Sequence, residues 1–294
     1  MSTSCLASLA GMLCQFRQYG SSSFCDSWEW KLDPYSVYDR HQPVDLYIEN
    51  ADVAIDEETA LYEQQDGFFL RRISRTKEGG TLWQYLRKKN LNVLLSYHVS
   101  ADWKRITLLK DHSSSCEQMA FEYLAHLLTA CMLAHGLLTF HGVLMEYEGN
   151  GIIISAASGT GKTTHARLWR DLRRALIING DRAVCAKTAE GWTGYGLPWS
   201  GTSGEQINRS VAIRALVVLR RGETNEAHRI SALEAFHQVF AHVLYPSWNK
   251  ALTEKMMDLL ESFLRDVPIF LLSCRPDAES VDVLYAALDE VLHE

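Results

Sequence analysis

The chain has 294 residues, 47% hydrophobic and 22% charged, which allows one large domain or two smaller ones with a sizeable core. Its net charge of -7 excludes a general nucleic-acid-binding face, which would be basic, but leaves room for a local pocket for phosphates. No run approaches the ~18 apolar residues of a membrane span. The seven cysteines form no C-x-x-C pair, so neither a zinc site nor a disulfide framework is expected, and free thiols fit a cytoplasmic location.

Met1 to Phe16 is mildly apolar, and its first cation, Arg17, follows the apolar stretch. A signal peptide has the opposite order, so this reads as a short packed or frayed segment. Short apolar runs then alternate with polar turns: Val44 to Ile48, Gly67 to Ile73, Leu91 to Tyr97. They are strand-like, and residues 1–112 are expected to form a smaller, mostly β N-terminal region. Residues 113–294 are expected to form a second domain of α/β character.

Ser114-Ser115-Cys116-Glu117 is a capping-box pattern, followed at helical spacing by Ala120, Leu124, Leu127, Leu128 and Cys131, with Gly136 as the stop. His126 and His135 on this helix read as packing or capping residues. Phe140 to Tyr147 and the Ile152 run, joined by Glu148-Gly149-Asn150-Gly151, form an expected β-hairpin. A buried strand, Ala175 to Ile178, ends at Asn179-Gly180-Asp181-Arg182, and a second hairpin and a strand, Ala215 to Leu219, follow. Two helices come next, from the capping box at Ser231 to about Tyr245 and from about Ala251 to Arg265. A strand from Pro268 to Leu272 and a helix from Ala278 to Leu292 close the chain.

The chemistry centres on Ser158-Gly159-Thr160-Gly161-Lys162-Thr163-Thr164. A strand precedes it and a helix follows, so backbone N–H groups and the helix N-terminus can face an anion. Lys162 can reach the outer phosphates and the Thr163 hydroxyl can hold Mg²⁺. Ala156 stands where the general pattern has its first glycine. Phosphoryl transfer also needs a carboxylate, and Asp181, at a strand end about twenty residues on, is the candidate; Asn-Gly-Asp is equally good turn chemistry. His141 starts the strand that leads into the loop, where packing and a place beside the γ-phosphate are both open.

Four pieces in order are similar to the catalytic domain of bacterial HPr kinase/phosphorylase: Phe140-His141-Gly142-Val143, the Ser158 to Thr164 loop, Gly180-Asp181-Arg182 and Arg275-Pro276. The loop spelling resembles ATP-dependent phosphoenolpyruvate carboxykinase, which shares that fold. The resemblance covers about residues 115–294. It implies a phosphoenolpyruvate-carboxykinase/HPr-kinase-like P-loop fold with a mixed sheet and hairpins, using ATP and Mg²⁺. Under it Ser158 to Thr164 cradle the nucleotide, Thr163 and Asp181 hold the metal or Asp181 acts as base, and His141 lies by the reacting phosphate. It also implies homo-oligomers. The chain departs from the family at Gly180, where a second aspartate stands, and lacks its Glu-x-Arg-Gly segment. Pro198-Trp199-Ser200-Gly201, with Thr202 to Glu205, occupies roughly that place, either as a mobile substrate loop or as a connection with a buried tryptophan. Glu205 can supply a second carboxylate. Arg209, Arg214 and Arg275 can supply charge to the transferred group, while Arg220-Arg221 read as solvating a strand end.

The expected function is an ATP-dependent kinase acting on a hydroxyl of a peptide, protein or small molecule. The alternatives are a nucleotide-binding module without catalysis and a carboxykinase-like lyase.

Overall fold

The structure is a computed structural model that describes residues 3–18, 24–38, 42–67, 69–109 and 117–293. It divides into two compact units, Met1–Ala134 and His135–Glu294. The division falls at Ala134 and not at residue 112. The reason is local: the helix Glu117–Ala134 packs on strands of the first unit, where Tyr97 Oη donates to Ala120 O at 2.5 Å and Tyr85 Oη lies 3.2 Å from His126 Nδ1. The capping pattern at Ser114 to Cys116 lies outside the described residues.

The first unit contains β1 (Thr3–Leu9), β2 (Met12–Gln18), α1 (Phe24–Leu32), β3 (Leu46–Ala51), β4 (Glu57–Asp66), β5 (Phe69–Thr76), β6 (Thr81–Arg87), β7 (Val93–Val99), β8 (Arg105–Leu109) and α2 (Glu117–Ala134). Its strands form one mixed sheet in the order β1-β2-β3-β8-β7-β6-β5-β4. The N-terminal segment is not frayed. β1 and β2 pair as a hairpin whose Ala7, Leu9, Cys14 and Phe16 are fully buried. This unit combines its eight-stranded sheet with the helices α1 and α2.

The second unit contains β9 (Leu137–Tyr147), β10 (Asn150–Ser155), α3 (Lys162–Arg173), β11 (Leu176–Asn179), β12 (Arg182–Thr188), β13 (Gly191–Tyr195), β14 (Ser210–Arg221), β15 (Glu226–Arg229), α4 (Ala232–Val239), α5 (Lys250–Asp266), β16 (Ile269–Cys274) and α6 (Ala278–Leu292). The strands run β10-β9-β12-β13-β14-β16-β15, with β11 also on β9 and β10 also on β14. Two long strands organise this sheet. β9 pairs through residues 137–141 with β12 and through 142–147 with β10. β14 pairs at its start with β13, and further on lies parallel to β10 and β16. The sequence of β14 marks the change: burial alternates from Ser210 to Arg214, then Ala215 to Leu219 are all buried, as a strand covered on both faces requires.

α3 and α6 cover the β10, β14 and β16 region, with Trp169, Leu284 and Leu288 in one core with Ile152, Ile154 and Val217. α5 packs elsewhere, its Phe263 ring meeting Phe140 and Trp192. Ser231, Asn249 and Asp277 cap α4, α5 and α6 by accepting from backbone N–H groups. α4 is shorter than its pattern suggests: it ends at Val239 and a 3-10 turn, Phe240–His242, follows. That turn is fastened to β9 by a bridge from Val243 to Phe140 and by Leu244 N donating to Thr139 O at 2.8 Å.

The described residues thus form a mixed α/β protein with two mixed sheets and six helices. No helix among them is long and apolar enough to cross a membrane. Cys5, Cys14, Cys131, Cys185 and Cys274 are free thiols.

Candidate active site

β10 is a fully buried strand from Gly151 to Ser155, and the chain leaves it through a turn into α3. Gly159 and Gly161 have φ of 75° and 119°, left-handed values that side chains resist. Ala156 does not share that geometry; it is buried in the core, so a methyl group is accommodated where the general pattern has glycine. α3 begins at Lys162 with Gly161 as its N-cap, no side-chain cap and no acidic residue in its first turn. The amides there are open to an anion.

Lys162 is buried and folds back over the turn. Its Nζ donates to Ala156 O at 2.9 Å and to Ala157 O at 3.4 Å, and lies 3.1 Å from His141 Nε2. His141 sits on β9 directly opposite Arg182 of β12. Its Nδ1 faces Asp181 Oδ1 at 3.5 Å, and Arg182 Nε lies 3.6 Å from Asp181 Oδ2. The strand pairing thus brings Lys162, His141 and Asp181 into one line, although they are far apart in sequence. Burial lowers the pKa of both Lys162 and His141, and the Lys162 charge lowers His141 further, while Asp181 acts in the opposite sense on each. A neutral imidazole accepting from Lys162 at Nε2 and carrying its proton on Nδ1 toward Asp181 satisfies these contacts. Thr163 is half-buried in the first turn of α3, and Ser158, Gly159 and Thr164 are exposed on the turn.

His242, at the end of the 3-10 turn after α4, joins this cluster. Burial lowers its pKa first, then the Lys162 and His141 charges do so. It belongs to no motif, and the bridge that carries it to β9 is a tertiary contact with no sequence signal.

On the other side of the turn is a cavity of about 390 Å³ lined by Gly159, Thr164, Arg221, Cys274, Arg275 and Pro276 among others. Arg221 does more than solvate a strand end: its Nη2 donates to Gly159 O at 2.5 Å and its Nε to Thr160 O at 3.4 Å. Arg275 is held by Asp277 at 2.9 Å and Glu279 at 2.8 Å on the cavity rim. Arg209 pairs with Glu146, at the end of β9 away from His141, so it does not join the cluster.

Residues 196–207 are fastened beside Asp181. Buried Asn179 donates from Nδ2 to Leu197 O at 3.1 Å and Trp199 O at 3.0 Å, and Gly180 N donates to Glu205 O at 2.9 Å. Trp199 is 2% exposed, so it anchors this connection and offers no contact face. The exposed tip, Gly201 to Gly204, lies over Asp181. A Cβ on Gly201 would stand 2.7 Å from Asp181 Cγ, and one on Gly180 would stand 2.1 Å from Ser203 Oγ. The space a side chain at position 180 needs is therefore taken by Ser203. Glu205 turns its carboxylate toward α3, where Arg167 and Arg170 hold it.

Among the described residues no group of three or more His, Cys, Asp or Glu side chains is arranged to hold a metal ion by itself. A hard cation that arrives with phosphate oxygens needs only one or two protein ligands.

No protein-family model matches this sequence, and comparison with curated proteins gives no match. Among solved structures, the Hpr(Ser) kinase/phosphatase from Coxiella burnetii is similar, at 10% identity and a TM-score of 0.32, over 53% of this chain and 99% of that one. This is a distant structural similarity.

Proposed function

We propose that the second unit is an ATP- and Mg²⁺-dependent phosphotransferase that acts on a hydroxyl of a peptide, protein or small molecule. The observation that carries this reading is the line from Lys162 through His141 to Asp181, at an uncapped helix N-terminus. Ser158 to Thr164 would cradle the phosphates, and the cavity of about 390 Å³ beside Arg221 would take the nucleoside end. Thr163 and Asp181 would hold Mg²⁺.

When bound, ATP supplies the phosphoryl group and Mg²⁺ offsets its charge. Lys162, now spending its donors on Ala156 O and Ala157 O, would turn them to the phosphate oxygens. Where Thr163 holds the metal without it, Asp181 would instead take the proton of the attacking hydroxyl, with His141 and Arg182 orienting its carboxylate. A bond forms from the acceptor oxygen to the γ-phosphorus, the bond to the bridging oxygen breaks, and ADP leaves.

A second reading, binding without transfer, is favoured by the tip that covers Asp181 and by the filled space at Gly180. The two part company in one experiment. MgATP binding is measured by calorimetry, and phosphate transfer from labelled ATP is followed on a library of serine- and threonine-containing peptides and on polyols. Transfer that disappears in Lys162→Ala and Asp181→Asn supports the phosphotransferase; full transfer in either variant overturns it. Tight binding with no transfer to any acceptor leaves the binding module.

A further inference from the structure

The carboxylate of Glu205 is gripped by two arginines of α3. Arg167 approaches edge-on, Nε at 3.2 Å from one oxygen and Nη2 at 3.1 Å from the other, and Arg170 Nη1 adds a third contact at 3.0 Å. This is a planar fork that fits a carboxylate or a phosphate. The arginines, 45% and 46% exposed in their side chains, face solvent, while Glu205 is only 20% exposed beneath them. Glu205 ends the tip that packs on Gly180 and over Asp181. Ser203 Oγ donates to Ser200 O at 2.7 Å, which keeps the tip folded on itself, and Gly201 and Gly204 at φ of 57° and 69° stand within it. Backbone bonds hold the ends of this segment, Gly180 N donating to Glu205 O at 2.9 Å among them, and the side-chain contact that draws it toward α3 is this ion-pair cluster, of a kind that solvent weakens and a competing anion can replace.

We propose that Arg167 and Arg170 form an anion subsite for the acceptor, with Glu205 as its built-in occupant. An acceptor bearing a carboxylate or phosphate beside its hydroxyl takes the arginines, Glu205 is released, and the tip leaves Asp181. Acceptor binding and uncovering of the carboxylate are then one event, and acceptors without an anionic group leave the tip closed. Calling the ligand an acceptor rests on the phosphotransferase reading; the subsite and the release of the tip do not.

Hydrogen exchange at the amides of residues 200–206 tests this on the full chain. The probes are acetyl-Glu-Glu-Glu-amide and, at equal ionic strength, acetyl-Gln-Gln-Gln-amide. The acidic peptide is expected to speed exchange in the wild type on the order of tenfold and the neutral one to leave it unchanged. In Glu205→Gln the tip should exchange fast without peptide, and the acidic peptide should bind at least about fivefold tighter because its internal competitor is gone. In Arg167→Gln/Arg170→Gln the tip should also exchange fast, but peptide binding should be lost. Equal action of the two peptides, unchanged exchange in Glu205→Gln, or full peptide binding without the arginines would each overturn the proposal. Phosphate transfer is measured in parallel with acetyl-Glu-Ser-Glu-amide, which adds the hydroxyl that the exchange probes lack: tip release by this peptide without transfer rejects the phosphotransferase and keeps the subsite, and transfer without tip release does the reverse.

Discussion

Lys162 Nζ lies 3.1 Å from His141 Nε2, so a buried amine and an imidazole share one proton-rich contact with Asp181 on the far side of the ring. Burial lowers the pKa of each, and the Lys162 charge lowers that of His141 further. A polyanion at the turn reverses that balance, because it favours the charged form of both groups.

The expected outcome is proton uptake when MgATP binds. At a pH somewhat below the ordinary histidine value, His141 is neutral in the free protein and gains a proton in the complex. Calorimetric titrations in buffers of different ionisation enthalpy should show net uptake that shrinks toward pH 8. His141→Asn should remove most of it, and an enthalpy independent of the buffer would refute the assignment.

Arg221 ties two carbonyls of the turn from outside. Without it the turn loses its outer brace and the cavity loses a cation. Arg221→Gln is expected to weaken MgATP binding on the order of tenfold, about 1.4 kcal/mol, while the melting temperature stays nearly unchanged. A large loss of thermal stability would show that the side chain holds the fold instead.

Gly180 and Ser203 compete for one volume. The Cβ of a residue at 180 would stand 2.1 Å from Ser203 Oγ and 2.6 Å from Ser203 Cβ, so relief requires the tip to move. Gly180→Asp alone should destabilise the protein by about 1–3 kcal/mol in urea unfolding, the usual cost of overpacking. Adding Ser203→Gly should restore much of that loss. Equal stability of the single variant and the wild type would mean that the tip is free to lift.

Much of the second unit was legible from sequence because its signals are local. The β9–β10 hairpin, the strand before the turn and α3 all carry their own period, turn residues or glycines, and α6 follows its expected bounds. Asp181 could be picked as a strand end, but its contact with His141 depends on the β9–β12 register, which no local pattern encodes. His242, the brace at Arg221 and the arginine grip on Glu205 are tertiary contacts of this same kind. The β1–β2 hairpin was missed for another reason: its serines and cysteines blur the alternation that marks a strand, although the segment is buried. The boundary between the units followed the packing of α2, while the change in composition lay earlier in the chain.

His165 gives a test of the fold that does not depend on function. It is buried in α3, where Trp169 Nε1 donates to its Nε2 at 3.2 Å and its Nδ1 faces Ser280 Oγ at 3.3 Å. Ser280 Oγ already donates to Asp277 O at 2.7 Å, so Nδ1 carries the proton and Nε2 has only its lone pair for Trp169. Adding a proton to Nε2 would set it against the indole N–H, and burial brings the pKa down to about 4. The unfolded chain, near 6.5, takes up a proton in a range where the folded chain does not. Stability from this group is therefore complete above about pH 6.5 and is lost as pH falls toward 4, by about 3 kcal/mol in total. Urea unfolding between pH 7 and 4 should show that slope. His165→Leu should flatten it while lowering stability at pH 7 by about 1–3 kcal/mol, because the Trp169 N–H loses its acceptor. An identical slope in the variant would place the acid sensitivity elsewhere in the chain.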